Sequence, residues 1–218
     1  MTLKLVIGNK NYSSWSMRPW LAARASNIAF DEVFIPLYTG DADKQRILSF
    51  TPSGKVPVLV DGDVTVWDSL AIIEYLAERF AEARLWPEDA ARRAHARSIS
   101  AEMHSGFPAL RNECGMNLHR PVRAIALSNE ARADIARVQQ IWSECRERYG
   151  RFGPFLFGAF SGADAMFAPV VHRFRTYAIA VTPDVQAYMD TMMSLPAFQE
   201  WTRAALAETI VIEKFENA

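Results

Sequence analysis

The apolar positions along the chain change their period part-way through it. Leu3 to Ile7 is a short apolar run that reads as a strand. Met17, Leu21 and Ala25 then recur at helical spacing and predict a helix over 16–26. Phe30 to Ile35 is rich in aromatic and β-branched residues and predicts a second strand. Strand, helix and strand in that order predict a parallel pair with a right-handed crossover. Residues 40–50 are polar, with room for one or two helical turns. Thr51-Pro52-Ser53-Gly54-Lys55-Val56-Pro57 reads as an approach loop held in turn or extended geometry. Pro57 stands directly before Val58-Leu59-Val60, where a proline marks either a strand start or a special peptide bond. Asp61-Gly62 predicts a hairpin, and Val64 to Trp67 an antiparallel return strand. Behind Asp68-Ser69, Leu70, Ile73, Leu76 and Phe80 repeat at helical spacing, and either Asp68 or Ser69 would cap that helix.

After Ala81 the strand pattern does not return. Trp86-Pro87-Glu88-Asp89 reads as the end of a linker and the start of a helix. Ala90 to Leu118 is a helical run rich in alanine and arginine, with a bend expected near Gly106-Phe107-Pro108. Ala131, Ile135, Val138, Trp142, Cys145 and Tyr149 form one apolar face of a helix over 128–149. Ser161-Gly162-Ala163-Asp164 has the form of a capping box and opens a helix reaching about Tyr177. Shorter helices fit 184–193 and 197–207, behind Pro183 and Pro196. The expected architecture is an α/β unit over 1–81 (βαβ then ββα, a mixed four-stranded sheet), a linker over 82–89, and an all-helical domain over 90–218.

Composition narrows the function classes. Half of the 218 residues are hydrophobic, ample for a core. Lys plus Arg (24) and Asp plus Glu (25) nearly cancel, so there is no basic excess to bind a nucleic-acid backbone. No apolar stretch approaches the ~18 residues of a membrane span, and the start does not read as a signal peptide. Cys114 and Cys145 have no CxxC partner and read as buried reduced thiols of a cytoplasmic protein. The four histidines have no metal-ligand spacing, so no metal is expected. GxSxG is absent, and Ser49 stands where a phosphate-binding loop before Gly54-Lys55 would need its first glycine.

The chemistry-bearing stretch is Ser13-Ser14-Trp15-Ser16-Met17-Arg18, where the first strand hands over to the first helix. The first turn of a helix has N–H groups without partners and a positive dipole end. Hydroxyls placed there can hold a thiolate, a carboxylate or a phosphate. Equally, Ser13 or Ser14 can act only as an N-cap.

Four motifs in this order resemble the cytosolic glutathione transferases over essentially the whole chain. They are Ser13 to Arg18, Val56-Pro57, Asp68-Ser69, and Ser161 to Asp164 with Phe157-Gly158 before it. The first is closest to the zeta pattern, although Trp15 stands at that pattern's cysteine and Met17 at its aromatic residue. The resemblance implies a thioredoxin-like N-terminal domain, an all-helical C-terminal domain and a cytoplasmic homodimer acting in detoxification. Its co-substrates would be glutathione and a small electrophile, with no metal, nucleic acid or membrane. Ser13, five residues before Arg18, matches the catalytic serine, with Ser14 as runner-up. The resemblance also implies a cis bond at Pro57, with the Val56 backbone pairing with the cysteinyl unit of glutathione. Asp68 would take the γ-glutamyl amine, Ser69 the γ-glutamyl carboxylate and Lys55 the glycyl carboxylate, with Trp15 bordering the site. Met103, Phe107 and Arg111, at i, i+4 and i+8, read either as a second-substrate pocket with one cation or as core. Arg173 and Arg175 fall near the position of a substrate-carboxylate arginine in the zeta isomerases. Three activities remain open: transfer of glutathione to an electrophile, zeta-like cis–trans isomerisation of a dicarboxylate such as maleylacetoacetate, and binding without turnover.

Overall fold

In the computed structural model, which describes residues 2–216, the first half of the chain forms one sheet with helices on both faces. The strands are β1 (Leu3–Ile7), β2 (Phe30–Phe34), β3 (Val58–Asp61) and β4 (Val64–Val66), in the spatial order β2-β1-β3-β4. β1 pairs parallel with β2, Leu3 opposite Phe30, and antiparallel with β3, Leu5 opposite Leu59. β3 pairs antiparallel with β4 across Gly62-Asp63. Alternation along β1 divides its side chains between two layers. Leu3, Leu5 and Ile7 join the large core, which also takes in Met17, Leu21, Ile72 and Leu76. Val6 turns to the other face, with Val58, Ile35 and Ile47. The helices of this half are α1 (Ser14–Ala25), α2 (Asp41–Leu48) and α3 (Ser69–Arg79). The mixed four-stranded sheet and the helix that follows it are as the apolar periods predict.

The second half is helical: α4 (Ala90–Ser105), α5 (Pro108–Glu113), α6 (Asn129–Tyr149), α7 (Gly162–Thr176), α8 (Pro183–Ser194) and α9 (Pro196–Leu206). Asp89 caps α4 by accepting from Arg92 N, and Ser128 caps α6 by accepting from Ala131 N. All six residues of the predicted apolar face of α6 are buried. The 90–118 run is not one helix. Pro108 disfavours right-handed helix at the residue before it. Phe107 takes a left-handed conformation, φ 61°, that stops α4 and restarts the chain as α5. Met103 therefore lies on α4, Arg111 on α5 and Phe107 between them, correcting the i, i+4, i+8 stripe.

α7 is the axis of the molecule. It packs against α1, α4 and α8, and nearly every residue from Gly162 to Thr176 is buried. Its capping box forms as predicted, with Ser161 and Asp164 bonded reciprocally. Asp164 is fully buried and accepts from Leu156 N, Ser161 N, Ser161 Oγ and Tyr188 Oη. Because α1 lies along α7, whatever stands at the start of α1 faces the helical half.

Candidate active site at the start of the first helix

The antiparallel register of β1 and β3 places the end of β1, leading into α1, beside the start of β3, which follows Pro57. The Val56–Pro57 bond is cis. Ser13 caps α1: its Oγ accepts from Ser16 N at 3.3 Å and donates to Ser16 Oγ at 2.8 Å. Ser16 Oγ in turn accepts from Gly8 N at 3.2 Å. The Ser13 hydroxyl is therefore committed to local structure on both counts. Ser14 is different. Its Oγ accepts from Arg173 Nη2 at 3.3 Å, and its own O–H has no acceptor among the described residues. Tyr12, the phenol beside the serines, is tied to the C-terminal segment: it donates to Glu216 Oε1 and accepts from Ile212 N.

Three guanidinium groups surround the start of α1. Arg18, on α1, is fully buried, and its Nε donates to Met166 O at 3.1 Å. Its Nη1 has no partner among the described residues. Burial, then the charges of Arg111 and Arg173, push the Arg18 guanidinium well below its usual range, with Asp68 opposing. Arg173, on α7, donates to Arg111 O and Cys114 O at the end of α5 and to Ser14 Oγ. Burial and the Arg111 charge lower it to about 10. Arg111 donates to Gly106 O and Met103 O at the end of α4. Helix C-termini partly balance the latter two charges, but the region remains electropositive and no acid lies in the first turn of α1. Trp15 is held between cations, with Arg18 4.2 Å and Arg111 4.8 Å from its ring centroid. His104, on α4, meets the Trp15 ring edge-on at 5.3 Å.

At the start of α3, Asp68 Oδ1 accepts from Leu70 N at 3.2 Å as the N-cap. Its other oxygen, Oδ2, lies 2.9 Å from His104 Nε2. Ser69 is fully buried, and its Oγ has no hydrogen-bond partner among the described residues.

Residues 12–79 match the family model described as Glutathione S-transferase, N-terminal domain, and residues 128–204 that described as Glutathione S-transferase, C-terminal domain. The chain belongs to the glutathione S-transferase family. Among its relatives is a probable maleylacetoacetate isomerase of Caenorhabditis elegans, 40% identical over 46% of this chain and 46% of that one. Glutathione S-transferase Z2 of Arabidopsis thaliana is 25% identical over 87% of this chain and 88% of that one. The chain spans about half the length of the more similar curated relatives that it matches. A glutathione transferase homolog from Burkholderia, solved with bound glutathione, shares the fold. Its TM-score is 0.69 at 23% identity, over 95% of this chain and all of that one.

Of the residues singled out from the sequence, Ser13, Ser14 and Trp15 stand at the start of α1, Asp68 and Ser69 at the start of α3, and Pro57 just before β3. Lys55 is exposed on the approach loop, and Val56 is half-buried beside it. Met103 and Phe107 are buried members of the large core, and only Arg111 of that trio reaches Trp15. Of the arginine pair, Arg173 is buried at Ser14 and Arg175 is exposed. Sequence reasoning missed His104. It lies 36 positions from Asp68 on another element, and no local pattern links the two.

Proposed function

We propose that the chain is a glutathione transferase that holds the sulfur of glutathione as a thiolate at the start of α1 for attack on a small electrophile. The observation that carries this reading is Ser14, the first residue of α1. Its hydroxyl accepts from Arg173 and keeps its own proton free to donate. A free thiol has a pKa of about 8.5, so holding it mainly as thiolate at pH 7 needs a shift of about two units, or ~2.7 kcal/mol. A hydrogen bond to a charged acceptor supplies about 1.5–3 kcal/mol. The helix dipole adds about 0.3–1 kcal/mol, and the buried guanidiniums act in the same direction. In this reading Ser14 is the catalytic hydroxyl and Ser13 the cap that fixes its helix. Val56 beside cis-Pro57 offers main-chain groups to the cysteinyl unit. Asp68 takes the γ-glutamyl ammonium, the buried Ser69 hydroxyl its carboxylate and exposed Lys55 the glycyl carboxylate, with Trp15 bordering the sulfur.

Val64 and Trp67, each 45% exposed, leave apolar surface at the β4 edge that a homodimer would cover. Two buried, unpaired thiols suit a reducing cytoplasm, where conjugation of electrophiles serves detoxification. The domain divide falls in 82–89. The test is the ultraviolet thiolate absorbance of bound glutathione against pH. Ser14→Ala should move the thiol pKa up with little change in glutathione affinity. If only Ser13→Ala moves it, the roles of the two serines are exchanged; if neither does, the mechanism fails.

A second reading, zeta-like isomerisation of a dicarboxylate, is favoured by Arg18 Nη1, buried and unpartnered among three mutually repelling guanidiniums. A carboxylate on the electrophile would satisfy it. Conversion of a cis dicarboxylate to its trans isomer, with glutathione recovered unchanged, would separate this reading from conjugation. Retention on immobilised glutathione with neither activity would indicate a binding module.

A further inference from the structure

Resting on the reading of Asp68 as the carboxylate for the glutathione ammonium, we propose that His104 is a positioning residue that presets Asp68 for that contact. As an N-cap, Asp68 is fixed through one oxygen only, Oδ1 to Leu70 N. Its side chain is 52% exposed, so the second oxygen would otherwise be free to sample solvent. His104 removes that freedom. It reaches across from α4 in the helical half and places Nε2 at 2.9 Å from Oδ2. The ring is itself held, its side chain 27% exposed, its Nδ1 buried without a partner among the described residues, and its edge against Trp15. With a proton on Nε2 the ring donates this bond to Oδ2, and the carboxyl oxygens keep lone pairs for an ammonium. Fixing a side chain before the ligand arrives removes an ordering cost of about 0.5–1.5 kcal/mol from binding, up to about tenfold in affinity.

The His104–Asp68 contact concerns only the ammonium end of glutathione, which a ligand analogue can lack. Affinities of the full chain for glutathione and for glutaryl-cysteinylglycine, the same tripeptide lacking the amino group, are measured by calorimetry for wild type and variants. In wild type the missing amine should weaken binding about tenfold. In His104→Ala that ratio should fall towards one, with the KM for glutathione up about fivefold to tenfold and kcat within about twofold. His104→Gln, whose amide N–H can donate over a similar reach, should restore most of the ratio. An unchanged ratio in His104→Ala, while Asp68→Asn abolishes it, overturns the role of His104 and leaves that of Asp68 intact. A ratio untouched by Asp68→Asn overturns the parent assignment, and this inference with it. A uniform loss for both ligands, or a fall in kcat equal to the rise in KM, shows His104 to be only structural.

Discussion

Two helices of this molecule, each capped by a serine, have different backbone geometry at the cap and opposite surroundings. α1 is capped by Ser13 and has Ser16 at the third helical position; α7 is capped by Ser161 and has Asp164 there. Both starts are buried. At α7 the third-position carboxylate collects four donors, and the end is closed. At α1 the third-position hydroxyl only ties the cap to Gly8, no acid enters the first turn, and three guanidiniums crowd in. The first arrangement neutralises the positive end of a helix, and the second concentrates it. A carboxylate seals α7 into the core, whereas among the described residues the Ser14 O–H has no acceptor and the buried Arg18 Nη1 no partner, and on these the proposed anion site at α1 rests. A serine-capped helix start thus serves stability at α7 and, in the proposed function, a ligand at α1, according to whether the local charge is balanced.

The contrast is most exposed to failure at Asp164. Asp164→Ala strands four buried donors and should lower stability by about 4 kcal/mol, read by urea denaturation; glutathione binding to the protein that remains folded should be little changed. Ser14→Ala should do the reverse. Conjugation turnover, kcat/KM, should fall about a hundredfold, or ~2.7 kcal/mol, while stability changes by less than about 1 kcal/mol. A large loss of stability there with turnover intact would erase the distinction between the two starts.

The sealed character of α7 also has a pH signature. His172, fully buried on α7 and stacked on Phe198, is pushed down to about 3 by burial and then by the Arg175 charge. The unfolded chain takes up that proton near pH 6.5, so the stability given by the neutral ring is full above that value. It is lost as pH falls towards 3, by about 2 kcal/mol at pH 5. Asp164, raised to about 6 by burial, works with the opposite sign: its stability is present at low pH and lost on rising through 6. The two are separated by measuring wild type against His172→Phe at pH 7 and pH 5, where the variant should escape the histidine's share of the acid loss. The smallest effect belongs to Ser13→Ala, which removes only a cap. About 1 kcal/mol of stability and a change in turnover of less than about tenfold are expected, and a loss matching that of Ser14→Ala would move the catalytic role back to Ser13.

Most of the fold was legible in the chain because its signals are local. Period-two and period-3.6 patterns, Asp61-Gly62 and the Ser161 to Asp164 box each act within a few residues, and each formed where expected. The break at Gly106-Phe107-Pro108 was legible as a bend but not as a change of helix, because its extent rests on one backbone conformation at Phe107. The site was legible only as a set of candidates. Two adjacent serines differ in nothing that a spacing can express. They part because Arg173, 159 positions from Ser14, lands on one of them, while the other turns back on Ser16.

The sequence by itself determined the strand–helix handover, the proline loop and the helix caps, since each depends on neighbours within a turn or two of the chain. Only the tertiary structure decided which hydroxyl keeps a proton to give, which arginine is buried beside it, and that a histidine of the helical half holds Asp68. Those outcomes depend on where desolvated charges from distant segments come to rest, and that is set by the packing of α1 along α7.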